Sequence, residues 1–132
     1  MNTRMVMTTS SMVLGLGGLF GLFAPDTVGA LLGAAPAAPL SAMVQLMGTL
    51  YYALALMNWM ARNSTIGGIY ARPISMANLV HCFCGSLVLG KYMLSNGIAL
   101  PGAVLLALYL TFTALFYWLA FRTSGIPSQH TG

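Results

Sequence analysis

Residues 5–23 form a run of 19 residues without a charged side chain, opened by Arg4 and closed by Ala24-Pro25-Asp26. At 1.5 Å per residue, a helix of that length reaches about 30 Å, the thickness of a bilayer's hydrocarbon core. Three more runs of similar length follow at residues 41–61, 74–94 and 100–121, and only Lys91 breaks their neutrality. The spacing predicts four membrane-crossing helices in one unit covering residues 1–132. A cleaved signal peptide is the rival for the first run. Its apolar stretch is longer than the usual h-region and no small-x-small cleavage site follows closely, so a retained span is expected.

Punctuation between the runs fits this division. Pro36 and Pro39 interrupt the chain after the moderately apolar segment 26–33, which reads as a connecting loop with at most one interfacial turn. Ser41 is placed to cap the second span, which Arg62-Asn63-Ser64 ends. Gly67-Gly68 and Arg72-Pro73 read as a turn, and Ser95-Asn96-Gly97 as a tighter one. Pro101 stands near the start of the fourth span, where a proline loses no intrahelical hydrogen bond. The tail after Arg122 is rich in Ser, Thr, Gly and Pro, a composition expected to be mobile.

Composition excludes water as the main solvent: 58% of residues are hydrophobic and 5% charged, whereas soluble domains carry about a quarter charged residues. The net charge of +4 comes from single basic residues scattered along the chain, which is no nucleic-acid footprint. Their placement is a topology signal instead, because cytoplasmic loops accumulate Lys and Arg. With the N-terminus inside, Arg4, Arg62, Arg72 and Arg122 all fall on the cytoplasmic face and Lys91 alone lies near the outer one. An odd number of crossings would separate Arg4 from Arg122. The expectation is an all-α integral membrane protein, four transmembrane helices in an antiparallel bundle with both termini cytoplasmic, in a bacterial inner membrane.

Lipid supplies no hydrophobic push between helices, so small residues that let backbones approach are the expected contacts. The first span offers Gly15, Gly17, Gly18 and Gly21, with Ser11 four residues before Gly15. Packing within the chain is the first reading of this stripe and a dimer interface the second. The fourth span has few small residues and is expected to present the broadest lipid-facing surface. Trp59, Tyr70, Tyr92 and Trp118 fall near predicted ends, whereas Tyr51, Tyr52 and Tyr109 are candidates for the bundle interior. The ten methionines are spread over three spans and read as packing filler rather than a copper path.

Polar side chains inside a membrane are costly unless paired, so each is a candidate site. Beside the hydroxyl residues, the spans hold Gln45, Asn58, Asn78, His81 and Lys91. If the second span descends as the third ascends, Asn58 and Asn78 both lie about 5 Å inside the inner boundary. Asn78, His81, Cys82 and Gly85 share one face through their spacing. Two readings stand: an interhelical hydrogen-bonding seam, or a small cytoplasm-facing cavity in which Asn58, Asn78 and His81 bind a lipid headgroup, a quinone or another amphiphile. Cys82 and Cys84 diverge by about 200° on a helix and cannot easily share a metal. With no second intramembrane histidine and no intramembrane carboxylate, no metal and no cofactor is expected.

Asp26, the only acidic residue, belongs to the outer loop, so no span carries the carboxylate of a proton-coupled carrier. Serine-histidine-aspartate sets, HExxH and phosphate-cradling loops are missing too, and an enzyme is not expected.

Asn58-Trp59-Met60-Ala61-Arg62-Asn63, followed by Arg72-Pro73 and Asn78-Leu79-Val80, resembles small uncharacterised bacterial four-helix inner-membrane proteins with a similar Trp-x-Ala-Arg ending on the second helix and Asn-Leu-Val opening on the third. The resemblance implies topology and no activity. A looser likeness to the DoxX-like four-helix group rests on size and helix number. The leading functional expectation is a non-enzymatic accessory or scaffold component, in contact with membrane lipids and packed against itself or a larger membrane complex. A small-molecule, lipid or quinone binder or transporter is the alternative.

Overall fold

A computed structural model describes residues 3–63 and 71–121. Among them all regular structure is helical: α1 (Thr3–Phe23), α2 (Pro25–Leu31), α3 (Ala38–Ala61), α4 (Ala71–Asn96) and α5 (Leu100–Phe121). Four of these, all but α2, are long and apolar enough to cross a membrane. The turn expected around Gly67-Gly68 and the tail after Arg122 lie outside the described residues.

Proline explains where the boundaries differ from the sequence reading. Pro25, Pro39, Pro73 and Pro101 each sit in the first turn of a helix, where a missing N–H costs nothing and a fixed φ favours the helical conformation. Pro39 and Pro73, expected as breaks, thus lie inside helices, whereas Pro101 stands in the first turn as its position predicts. α3 begins at Ala38 with Ala37 as its extended N-cap, and Ser41 lies inside the helix instead of capping it. α4 begins at Ala71, so Arg72-Pro73 belongs to the helix and not to a turn.

Segment 26–33 is likewise more ordered than a connecting loop. α2 opens on Pro25 with Asp26 in its first turn, where a negative charge meets the positive end of the helix dipole. It closes in a Schellman motif: Gly33 adopts φ 81°, its N–H donates to Ala30 O at 3.0 Å, and the Ala34 N–H donates to Gly29 O at 3.0 Å. Three contacts fasten it. Ser41 Oγ donates to Asp26 Oδ1, Gly29 lies against Leu40, and Tyr92 Oη donates to Leu32 O at 2.9 Å.

The helices associate chiefly as two close pairs, α1 with α3 and α4 with α5. Small residues draw the first pair together. A Cβ added to Gly18 would fall 2.7 Å from Tyr52 N and 2.8 Å from Gly48 O, and one added to Gly48 would fall 2.7 Å from Gly18 O. These are backbone atoms, so no side chain can yield. Gly21 faces Gly48 and Gly15 faces Ala55. Gly17 departs from the expected packing stripe: it is exposed and a Cβ there would meet nothing within 4 Å, because it points away from α3.

Large side chains join the two pairs at one end. Val6 and Met7 of α1, Ala61 of α3, Cys82 of α4, and Phe112, Phe116 and Leu119 of α5 form one buried cluster. Toward the other end many large apolar residues are exposed, among them Leu46, Leu94, Ile98 and Leu100, although Met93 is buried there. The expectation that the fourth span presents the broadest outward surface is not met. α3 has the smallest buried share of the four, because its contacts with α1 run through Gly48 and Ala55 while its larger residues turn outward. α5 buries Phe112, Phe116, Leu119 and Ala120.

Candidate functional site

Beside the apolar cluster, α3 and α4 bring Asn58 and Asn78 face to face. Both are fully buried. Asn58 Nδ2 donates to Asn78 Oδ1 at 2.8 Å and Asn78 Nδ2 donates to Asn58 Oδ1 at 2.7 Å, a reciprocal pair of amide hydrogen bonds. The remaining amide hydrogens are also used. Asn58 Nδ2 reaches Ser10 Oγ at 3.1 Å on α1, and Asn78 Nδ2 reaches Ile74 O at 2.9 Å one turn back along α4. Ser10 Oγ in turn donates to Met7 O at 3.0 Å. Four amide hydrogens thus find four interactions without any group from outside, which is the condition under which a buried polar network is stable.

Ser11, next to Ser10, donates through Oγ to Ala55 O at 2.7 Å and ties α1 to α3 a second time. Ser10 is the member of this network that the sequence reading missed. The signal was present in Thr8-Thr9-Ser10-Ser11, a hydroxyl run within an otherwise apolar span.

His81 does not join the asparagines. It lies about one turn farther along α4, where its Nε2 is 3.3 Å from Tyr109 Oη of α5. Tyr109 Oη also hydrogen-bonds Tyr51 Oη of α3. The imidazole stands edge-on to Tyr51 at a centroid distance of 5.3 Å and tilted against Tyr109 at 5.5 Å. Three helices therefore meet in a Tyr51–Tyr109–His81 chain. Gly85 makes room for it, since a Cβ at that position would overlap the Tyr109 ring. Cys82 is buried in the apolar cluster and Cys84 is exposed, as their divergence on a helix requires.

Depth separates the two polar groups. Asn58 lies three residues before the end of α3 and Asn78 seven after the start of α4, which places the amide pair near one end of the helices. Tyr51 lies ten residues before the end of α3, His81 ten after the start of α4, and Tyr109 nine after the start of α5. Tyr109 is also twelve residues before the end of α5, so at 1.5 Å per residue the three side chains lie about 15–18 Å along the helices from the end that holds the buried cluster.

At the end nearer the asparagines, Arg62 stacks its guanidinium 3.7 Å over the Trp59 ring and donates through Nη1 to Trp59 O at 2.6 Å. This closes α3 with a cation–π contact and a capped carbonyl. Gln45, the other carboxamide of α3, is exposed and its Nε2 lies 3.4 Å from Leu22 O. Lys91 is exposed toward the opposite end of α4. Among the described residues, no group of three or more His, Cys, Asp and Glu side chains gathers where a metal could be held.

The described residues are all-helical, with four helices long and apolar enough to cross a membrane, as in a multi-pass membrane protein, and among their polar side chains an amide pair and a tyrosine–histidine chain stand out. No family model matches the chain, and no curated protein or solved structure matches it.

Proposed function

We propose that this chain is a non-enzymatic accessory or scaffold component of a membrane assembly, and that it works through packing rather than chemistry. The observation that carries this reading is the closed bonding of Asn58 and Asn78 with each other, Ser10 and Ile74 O. These fully buried polar groups are committed to holding α1, α3 and α4 in register. Outward, Gly17 leaves a place on α1 where another backbone can approach closely, and α3 keeps most of its surface for contacts outside the chain.

The proposed setting is a bacterial inner membrane, with an antiparallel bundle and both termini cytoplasmic. Supporting it are Arg4, Arg62, Arg72 and Arg122 on one side against Lys91 on the other. The pairing of Asn58, late in α3, with Asn78, early in α4, is what opposed helix directions would produce.

Native mass measurement after extraction in a mild detergent tests the assembly. The expected species contains more than one copy of the chain or a second protein in fixed ratio. A strictly monomeric species with nothing copurifying overturns the reading. Topology is tested by thiol labelling in a background with Cys82 and Cys84 replaced. Ser95→Cys should label from outside intact cells and Asn63→Cys only after permeabilisation.

A further inference from the structure

His81 forms its one hydrogen bond among the described residues through Nε2, to Tyr109. No buried side-chain nitrogen or oxygen lacks a partner among those residues. Its Nδ1, which has none among them, is therefore not sealed in the packed interior, and His81 is half-buried. His81 lies ten residues after the start of α4 and fifteen before its end, about 15 Å and about 23 Å along the helix; well inside a helix long and apolar enough to cross a membrane, an unmet polar group is expensive. Ala77 and Cys84, which flank His81 one turn to either side, are small and exposed, so a planar group has room to approach along that face.

We infer that the Tyr51–Tyr109–His81 chain is a binding site for the head group of a quinone. Depth selects the chemical class. Phospholipid headgroups stay at the boundaries, and polar metabolites do not dissolve in hydrocarbon. A ring bearing carbonyl or hydroxyl oxygens on an isoprenoid or alkyl tail is soluble there. The hydrogen-bond chain suits both forms of such a ring. When Tyr51 donates to Tyr109 and Tyr109 donates to His81 Nε2, the neutral imidazole carries its proton on Nδ1 and presents a donor to a quinone carbonyl. When the chain runs in the opposite sense, Nε2–H donates to Tyr109 and Nδ1 becomes an acceptor for a quinol hydroxyl. In each arrangement the intervening Tyr109 hydroxyl both donates and accepts, and the bonds along the chain strengthen one another. The asparagine pair plays no part, having no hydrogen left to give. The site does not depend on the scaffold reading, because a monomer and an assembly would both contain it.

The test uses decylubiquinone labelled with carbon-13 at its ring carbonyls, added to the full chain in nanodiscs of phosphatidylethanolamine and phosphatidylglycerol. Empty nanodiscs of the same lipids serve as the reference. Infrared difference spectra should show a carbonyl stretch lowered by hydrogen bonding, and equilibrium dialysis should show saturable uptake of one quinone per chain above lipid partitioning. His81→Phe should weaken that uptake by about tenfold or more, a loss of about 1.4 kcal/mol, while His81→Gln, which keeps a donor and an acceptor, should retain more of it. A carbonyl band unchanged from empty nanodiscs, or uptake unchanged in a folded His81→Phe protein, overturns the inference. Should His81→Phe fail to fold, the carbonyl band of the unmutated protein decides the matter alone.

Discussion

Asn58 and Asn78 present their amides to each other across the α3–α4 seam, with Nδ2-to-Oδ1 distances of 2.8 and 2.7 Å, and both side chains are fully buried. A partner removed from one side leaves the other with a donor and an acceptor stranded in an apolar interior. Loss of one partner to a buried polar group costs about 1–3 kcal/mol, and measured couplings between polar side chains inside membranes reach about 1–2 kcal/mol. Asn58→Leu and Asn78→Leu should each destabilise the folded protein by an amount in that range. The double variant should cost clearly less than the sum of the two. A double-mutant cycle on reversible unfolding in mixed micelles gives the coupling, and strict additivity would show that the amides do not act as a unit.

Gly18 and Gly48 should be among the least tolerant of the described glycines. Both would place a Cβ within 2.8 Å of backbone atoms on the neighbouring helix, so even alanine must push α1 and α3 apart. Overpacking of that kind costs about 1–3 kcal/mol. Gly18→Ala and Gly48→Ala should lower thermal stability markedly in detergent, whereas Gly17→Ala, with nothing within 4 Å, should match or slightly exceed the parent through better helix propensity. Equal losses at all three positions would contradict this assignment of contacts.

Gly85→Ala reaches the tyrosine–histidine chain from beneath. Its new methyl would occupy the place of the Tyr109 ring, which must turn away and release both Tyr51 and His81. Ultraviolet resonance Raman bands that report tyrosine hydroxyl bonding should shift in this variant. Tyr51→Phe should reproduce part of the shift without the steric cost. An unaltered tyrosine spectrum in Gly85→Ala would show that the ring finds another rotamer with its bonds intact.

The cysteines should be chemically distinct despite lying two residues apart. Cys84 is exposed and Cys82 is buried among Met7, Phe112 and Phe116 of the core cluster. In detergent, a small apolar maleimide should modify Cys84 first and Cys82 only upon unfolding. Comparison of Cys82→Ala with Cys84→Ala by mass measurement over time separates the two rates. Equal rates would place Cys82 outside the cluster.

The four long helices were legible because a bilayer imposes a length and an apolar composition that are written directly along the chain. The prolines were harder to place. Pro39 and Pro73 lie in first turns, where the property that makes proline a breaker inside a helix does not operate. α2 is seven residues long, too short for a periodic pattern, and is held by Ser41, Leu40 and Tyr92 rather than by its own propensity. At the polar residues, depth counting brought Asn58 and Asn78 toward one level. The separation of His81 from them follows from which side of α4 faces α5, a property of packing that the spacing of residues on one helix does not contain. Tyr51 and Tyr109 stood out as aromatics away from the interface, yet their meeting required a knowledge of which helices are neighbours. Gly17 shows the same limit, since four glycines on one span share a composition but not a direction.

The buried cluster around Phe116 lies at one end of the molecule, while Leu94, Ile98 and Leu100 at the other are more than three-quarters exposed. In a bilayer those side chains, which flank the α4–α5 turn, would look outward and not into the protein. The large side chains of one end have a common interior and these do not, so a change in bilayer thickness or acyl order would fall unequally on the two ends. Exchange of lipid for detergent changes what those side chains meet, and the choice of amphiphile is in that sense part of the fold.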